Sequence, residues 1–301
     1  MSSIAYTTDQ EMIEYHRLCG NRNVNFWRLS ARAGFTDFKR GDLLFFYAYG
    51  QSKRKKGFVG YAHFESTSRL SLNEMWKRYG TANGYSSKER LKEAIELASR
   101  TGAVPDTMNC LHLKDCVYFS DPVYPKEAGL SINEKLESFT YLDRNDPTAT
   151  LRILRIAEKR GIDIWARSQN YEPDSVFELD EVRQQLSLIS EKLAPEDRSQ
   201  TELRKARKLI RPLLQEGEAE KIRGTEADAF FVRDGKVTII VPFAAQVSDR
   251  QKRIQELLGK LVIYKTAAEA EELRGGKPEF RIICEEEEET KEFLLNAVNH
   301  V

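Results

Sequence analysis

Asp228 and Glu226 stand two residues apart, just ahead of a stretch (229–243) that reads as two strands around the tight turn Asp234-Gly235. On a strand that spacing puts both carboxylates on one face, where they could hold a divalent cation. Ion-assisted phosphodiester cleavage needs several converging carboxylates, and usually a lysine near the attacking water. The second strand offers neither, because it ends in Val241-Pro242-Phe243. These residues cannot ligate a cation or polarise a phosphate. Glu202 and Glu216 could approach from a preceding helix, while Lys236 lies at the wrong, turn end of its strand. The acidic run CEEEEET reads as the solvated start of a helix. Asp228 and Glu226 are therefore weak catalytic candidates, and the reading assigns no confident catalytic residue and no metal.

A second constellation has a different chemistry. A pocket for a planar base needs aromatic faces for stacking and small polar groups for the base edge. Trp27, Phe46, Tyr47, Trp76 and Tyr79 supply candidate faces, and Asn25, Ser30 and Asn83 supply candidate polar edges. The run QSKRKKG places Lys53, Arg54, Lys55 and Lys56 at a loop between two strand-like segments, where they could contact phosphates without reading sequence. Cys110, His112 and Cys116 could share a strand face, yet their segment alternates like a sheet strand and lacks the turn spacing of a zinc knuckle. No Gly-x-Ser-x-Gly elbow and no phosphate-cradling glycine loop occurs.

The chain around these groups has 301 residues, enough for two domains that each bury a core. Its formal net charge is zero with 31% charged residues, so any nucleic-acid surface must be local. No apolar run has the length of a membrane span, and MSSIAYTTDQEM lacks the pattern of a signal peptide. Four scattered cysteines suit a reducing compartment better than a disulfide framework. The expectation is a cytoplasmic protein with no membrane partner.

The elements that would position these groups fall into two blocks. GDLLFFYAYG, GFVGYAHFES and MNCLHLKDCVYF read as strands, and SLNEMWKRYG and SSKERLKEAIELASR as helices, the latter capped by Ser86 or Ser87. TATLRILRIAEKRGIDIW reads as a helix ending near Gly161, and SVFELDEVRQQLSLISEKL as another. APEDRSQ is the best linker candidate. Beyond it come a helix kinked or shortened by Pro212, the hairpin, a helix, the strand PEFRIICE and a final helix. The predicted organisation is α+β, with a strand-rich domain over residues 1–145, a helical linker over 146–200 and a small α/β domain over 201–301.

VNFW, FKRGDLLFFYAYG and GFVGYAHFESTSRLSLNEMWKRYGTANGYSSKERLKEAI, in that order, resemble the PUA-like superfamily of EVE, ASCH and SRA-type domains over residues 20–142. The nearest likeness is to the version fused to nucleases in modification-dependent restriction enzymes. The resemblance implies a β-barrel that binds nucleic acid, in several relatives by turning a modified base into an aromatic pocket. It places Trp27 and Ser30 on the family's first strand, Phe46 and Tyr47 on the strand after the Gly-Asp turn, and Trp76 and Asn83 on the following Trp…Asn-Gly block. The order helix, Asp228, hairpin, helix, strand, helix over residues 200–298 resembles the PD-(D/E)xK nuclease fold with its Glu-x-Lys pair absent.

Together these imply a protein that reads a modified or flipped base in double-stranded DNA within a restriction or defence system. Its degenerate nuclease-like domain would serve recruitment or homodimerisation. On this reading the chain is a binding protein without cofactor. The alternatives are an active Mg²⁺-dependent endonuclease of modified DNA, and an RNA-binding module tied to RNA modification. Residue types do not separate DNA from RNA, because the 2′-hydroxyl is read by local geometry.

Overall fold

The computed structural model describes residues 2–29, 35–50, 55–163, 173–193, 198–244 and 250–284, with 292 and 296. The chain forms two compact units, Ser2–Phe177 and Glu178–Val301. The segment 146–200, expected as a linker, is thus divided between them. Ser30, Lys53, Arg54, part of APEDRSQ, most of CEEEEET and nearly all of the final predicted helix lie outside the described residues.

In the first unit β1 (Ser3–Thr7), β2 (Val24–Arg28), β3 (Leu43–Tyr49), β4 (Lys56–Leu70), β5 (Met108–Val123) and β6 (Phe139–Tyr141) make one six-stranded sheet. Its order is β2-β5-β4-β3-β1-β6, with β1 parallel to β3 and the other pairs antiparallel. Helices α1 (Gln10–Cys19), α2 (Leu72–Tyr79), α3 (Lys88–Ala98) and α4 (Ala149–Arg160) surround it. The expected closed barrel is not formed. Among the described residues β2 and β6 are the two edges and do not pair.

The sheet nevertheless rolls up. Four strand spacings separate β2 from β1, roughly 19 Å on a flat sheet. Yet the rings of Phe26 on β2 and Tyr6 on β1 meet at 4.9 Å between centroids. The coiling comes from β4 and β5, whose register slips between Phe58 and Gly60, Tyr61 and His63, and Phe64 and Ser66. Bulges of this kind raise local twist. At the first slip a Cβ on Gly60 would lie 2.3 Å from the Val117 carbonyl oxygen, so only glycine lets the two backbones approach.

Local chemistry explains most helix ends. The Asp9 side chain caps α1, Ser71 and Glu74 form a capping box on α2, and Ser87 caps α3. α4 stops at Gly161, where the sequence reading put its end.

In the second unit β7 (Glu220–Lys221), β8 (Ala229–Arg233), β9 (Lys236–Phe243) and β10 (Glu279–Cys284) lie in the order β10-β9-β8-β7. β8 and β9 are the expected hairpin, with Asp234 and Gly235 both at positive φ (52° and 70°) as a two-residue turn of the primed kind requires. α5 (Pro173–Ser190) and α7 (Arg250–Ala270) pack on the sheet face that carries Phe230, Val237, Ile239, Val241 and Phe243. α6 (Gln200–Gln215), which runs through Pro212, supplies Ala206 and Ile210 to the opposite face, beside Ala229 and Ile240. No described helix is long and apolar enough to cross a membrane.

His16 on α1 is buried. Its Nδ1 lies 3.1 Å from the Asn21 amide nitrogen, and its Nε2 has no hydrogen-bond partner among the described residues. Burial pushes its pKa down from 6.5 to about 4. The unfolded chain therefore takes up a proton below about pH 6.5 that the folded chain refuses until about pH 4. Stability is complete above this window and falls as pH drops through it, by up to about 3 kcal/mol. Replacing His16 with Gln should flatten the urea midpoint between about pH 6.5 and pH 4.5. An unchanged slope would assign the loss to other groups.

Candidate nucleic-acid interface

β3 is apolar almost throughout, because its central part is covered on both faces. Leu44 and Phe46 point into the rolled interior, where Phe46 stacks on Tyr118 at 6.2 Å. Phe45 and Tyr47 meet Phe58 on the other face. Only at its end does the strand reach solvent, and there Tyr49 is 44% exposed. Tyr49 pairs across the ladder with Lys56, whose Nζ lies 5.6 Å from the Tyr49 ring centroid and 6.0 Å from that of Tyr47.

This end of the sheet opens into a groove of about 640 Å³. Its wall includes Tyr47, Tyr49, Lys55 and Lys56 from the β3–β4 corner, and Tyr124 and Lys126 from the segment after β5. Glu127 and Glu134 complete the charged part of the lining. Glu127 is committed elsewhere: it accepts from the Tyr124 backbone N–H at 2.8 Å and pairs with Arg160 at 2.5 Å. Among the described residues none of the three lysines has an ion-pair partner, although many other surface cations do, Arg40 and Lys114 on Glu65 for example. Burial raises the Tyr47 pKa, and the charges of Glu134 and Tyr49 raise it further. The phenol therefore stays protonated and available as a donor.

The structure brings Tyr47, Lys55 and Lys56 of the sequence-predicted set into this groove. Tyr49, Tyr124 and Lys126 line it too and were outside that set. Tyr49 was legible only as part of an aromatic strand, and nothing local ties the Tyr-Pro-Lys turn at 124–126 to a corner some seventy residues earlier.

Asn25, Trp27 and Asn83 meet at a different place, where β2 touches the 3₁₀ turn Gly80–Asn83, and Trp76 on α2 is half-buried against the core of the first unit. Asn25 and Asn83 are both fully buried, and the Asn25 amide donates to Asn83 Oδ1 at 2.8 Å. The Asn83 amide donates to the carbonyls of Met75 (3.0 Å) and Gly80 (2.7 Å), and Trp27 Nε1 donates to the Asn83 carbonyl at 3.3 Å. These bonds pin α2 and the turn to β2. Cys110 opposes Trp27 and His112 opposes Asn25 in the ladder, and the Tyr79 hydroxyl hydrogen-bonds the His112 ring. Among the described residues no three His, Cys, Asp or Glu side chains are placed to hold a metal ion.

In the second unit Asp228 is 1% exposed. Lys260 Nζ donates to its Oδ1 at 2.8 Å and lies 2.7 Å from its Oδ2, to which the Tyr264 hydroxyl also donates at 2.7 Å. Lys260 and Tyr264 are one turn apart on α7, on the stripe that carries Leu257 and Leu261 into the core. Val241 and Phe243 belong to the same buried apolar cluster as Leu257, Leu261 and Tyr264. Glu226 instead pairs with Arg207 at the surface, and Glu202 caps α6 and binds Arg253. The signal for Lys260 was present in the sequence as a lysine on an otherwise apolar helical stripe.

No family model and no curated sequence matches the chain. The first unit is a rolled mixed sheet with surrounding helices, and the second a small α/β layer structure. Among solved structures, the ASCH protein from Zymomonas mobilis is similar at 16% identity and a TM-score of 0.36, covering 51% of this chain and 94% of that one. Two point mutants of the same protein match at 15% identity, with TM-scores of 0.37 and 0.36. About half of the chain thus has ASCH structures among its neighbours. At that level of likeness neither substrate nor activity passes from them to this chain.

Two structural roles are testable. Asn83→Ala removes three side-chain hydrogen bonds and strands the Asn25 amide, and should cost about 2–3 kcal/mol of stability by urea unfolding. Lys260→Met removes the cation beside a buried carboxylate and should cost about 3–5 kcal/mol, with part recovered in the double variant Asp228→Asn, Lys260→Met. A neutral Lys260→Met would place that charge in water rather than in the core.

Proposed function

We propose that the N-terminal unit binds nucleic acid through the tyrosine–lysine groove and receives there a base turned out of its stack. The observation that carries this reading is the convergence of Lys55, Lys56 and Lys126, all without carboxylate partners among the described residues, on a groove faced by Tyr47, Tyr49 and Tyr124. Cations that line a groove suit phosphates, and an exposed tyrosine on the same wall suits a stacked base. Since the chain has no net charge, a local site of this kind is the electrostatic means available to it.

The finer reading is a modified or flipped base in double-stranded DNA, in a restriction or defence setting. Its support is the sequence resemblance of residues 20–142 to domains of modification-dependent restriction enzymes. The C-terminal unit would then serve recruitment or homodimerisation. Against the alternative of an active endonuclease stands the Asp228 carboxylate, neutralised by Lys260 and Tyr264 in a dry layer. An RNA-binding role would use the same groove.

The test is binding by the full chain to labelled modified and unmodified duplexes and to single strands, with Mg²⁺ present to report cleavage. Replacing Lys55, Lys56 and Lys126 with Ser should weaken binding to all of them. It should also lower the slope of log K against log salt by about 2–3. Tyr49→Ala should lose about 1–3 kcal/mol of binding with the fold intact. An unchanged salt slope in the triple variant would remove the groove from the interface. Mg²⁺-dependent cleavage lost in Asp228→Ala would establish the endonuclease instead.

A further inference from the structure

We infer that the groove takes guanine on an unpaired strand and reads its Watson–Crick edge with Glu134; this rests on the groove being a nucleic-acid site. Tyr49 is partly exposed, and an exposed ring can be reached by a base that has left the duplex stack. The groove's volume of about 640 Å³ lies within the range that encloses a small organic ligand, room enough for a nucleotide.

Glu134 is the feature that phosphate binding does not explain. A carboxylate beside three lysines weakens attraction for a phosphate backbone. Glu127, its neighbour on the wall, is accounted for by its bonds to Tyr124 and Arg160. Glu134 has no hydrogen bond or ion pair among the described residues, and it lines the same groove as Tyr47, whose pKa burial raises first and the charge of Glu134 raises further. What it presents is a pair of acceptor oxygens at the rim of the groove.

The bases answer that pair differently. Guanine carries two adjacent donors, N1–H and the N2 amino group, and matches both oxygens at once. Cytosine and adenine offer one amino group beside a ring nitrogen that repels a carboxylate. Thymine and uracil offer one N–H between two carbonyls. The Tyr47 hydroxyl, on the same groove wall, is a candidate donor for the guanine O6. The arrangement is thus complementary to guanine and poorly matched to the other bases.

Fluorescence anisotropy with the full chain tests this on oligothymidylates of about eight nucleotides, a length within the usual single-strand site size. One strand carries a single central guanine, one carries inosine there (which lacks only the N2 amino group), and one carries thymine. The guanine strand is also annealed to its complement, and an oligouridylate series repeats the set in RNA. The guanine strand should bind about tenfold tighter than the inosine and thymine strands, and than its own duplex.

Glu134→Gln should abolish that preference while binding oligothymidylate at least as tightly as the wild type, since a charge that repels phosphate is gone. A preference seen only in the uridylate series identifies RNA as the carrier of the same chemistry. Equal affinity for guanine, inosine and thymine strands, or tighter binding to the duplex, overturns the guanine reading. If the triple lysine variant still binds more weakly in that case, the nucleic-acid site itself survives. Unaltered binding by that variant removes both.

Discussion

The pairing of β4 with β5 is the constraint on which the first unit depends. Two long strands that stay in contact along their length must coil, and each slip of register adds to the twist. The coiling brings Phe26 on one edge of the sheet to Tyr6 near the other and encloses the interior aromatics without closing the hydrogen-bond ladder. It also leaves the sheet with two covered faces at its centre and open corners at its ends. The asparagine clasp over β2 and the tyrosine–lysine groove beyond β3 are both consequences of that shape.

Lysine shows how far burial decides the role of one residue type. Lys260 lies within a core layer, and the Asp228 carboxylate and Tyr264 hydroxyl keep its charge satisfied there. Lys55, Lys56 and Lys126 have no such partners among the described residues and surround a groove open to solvent. The first arrangement is costly to break and does nothing for a ligand. The second adds little to stability and leaves its charges available to an anion.

Much of the architecture was legible because it follows from local rules. The turn at Asp234-Gly235, the cap at Ser87 and the stop at Gly161 all follow from backbone preferences that act over a few residues. β1 carried no such signal, whereas α1 did, in its cap at Asp9 and its stop at Gly20, and the sequence reading passed over it. β1 is five residues long and is stabilised by its parallel pairing with β3, some forty residues away. The open edges of the sheet were equally illegible, since closure depends on how β2 and β6 meet rather than on what either contains.

The same division runs through the candidate sites. Residue types alone show that the side chains of Val241, Pro242 and Phe243 offer no ligand atom to a metal ion, whatever their conformation. They also show that the aromatics and the lysine cluster weighed for a base and its phosphates lie in the first half of the chain. Only the tertiary structure decided which of them meet. It placed Asn25 and Asn83 in a buried clasp, Phe46 in the core and Tyr47 beside Tyr49, Tyr124 and Lys126. The physical reason is that stacking, ion pairing and desolvation act over a few ångströms of space, and the segments they join here lie up to about eighty residues apart in the chain.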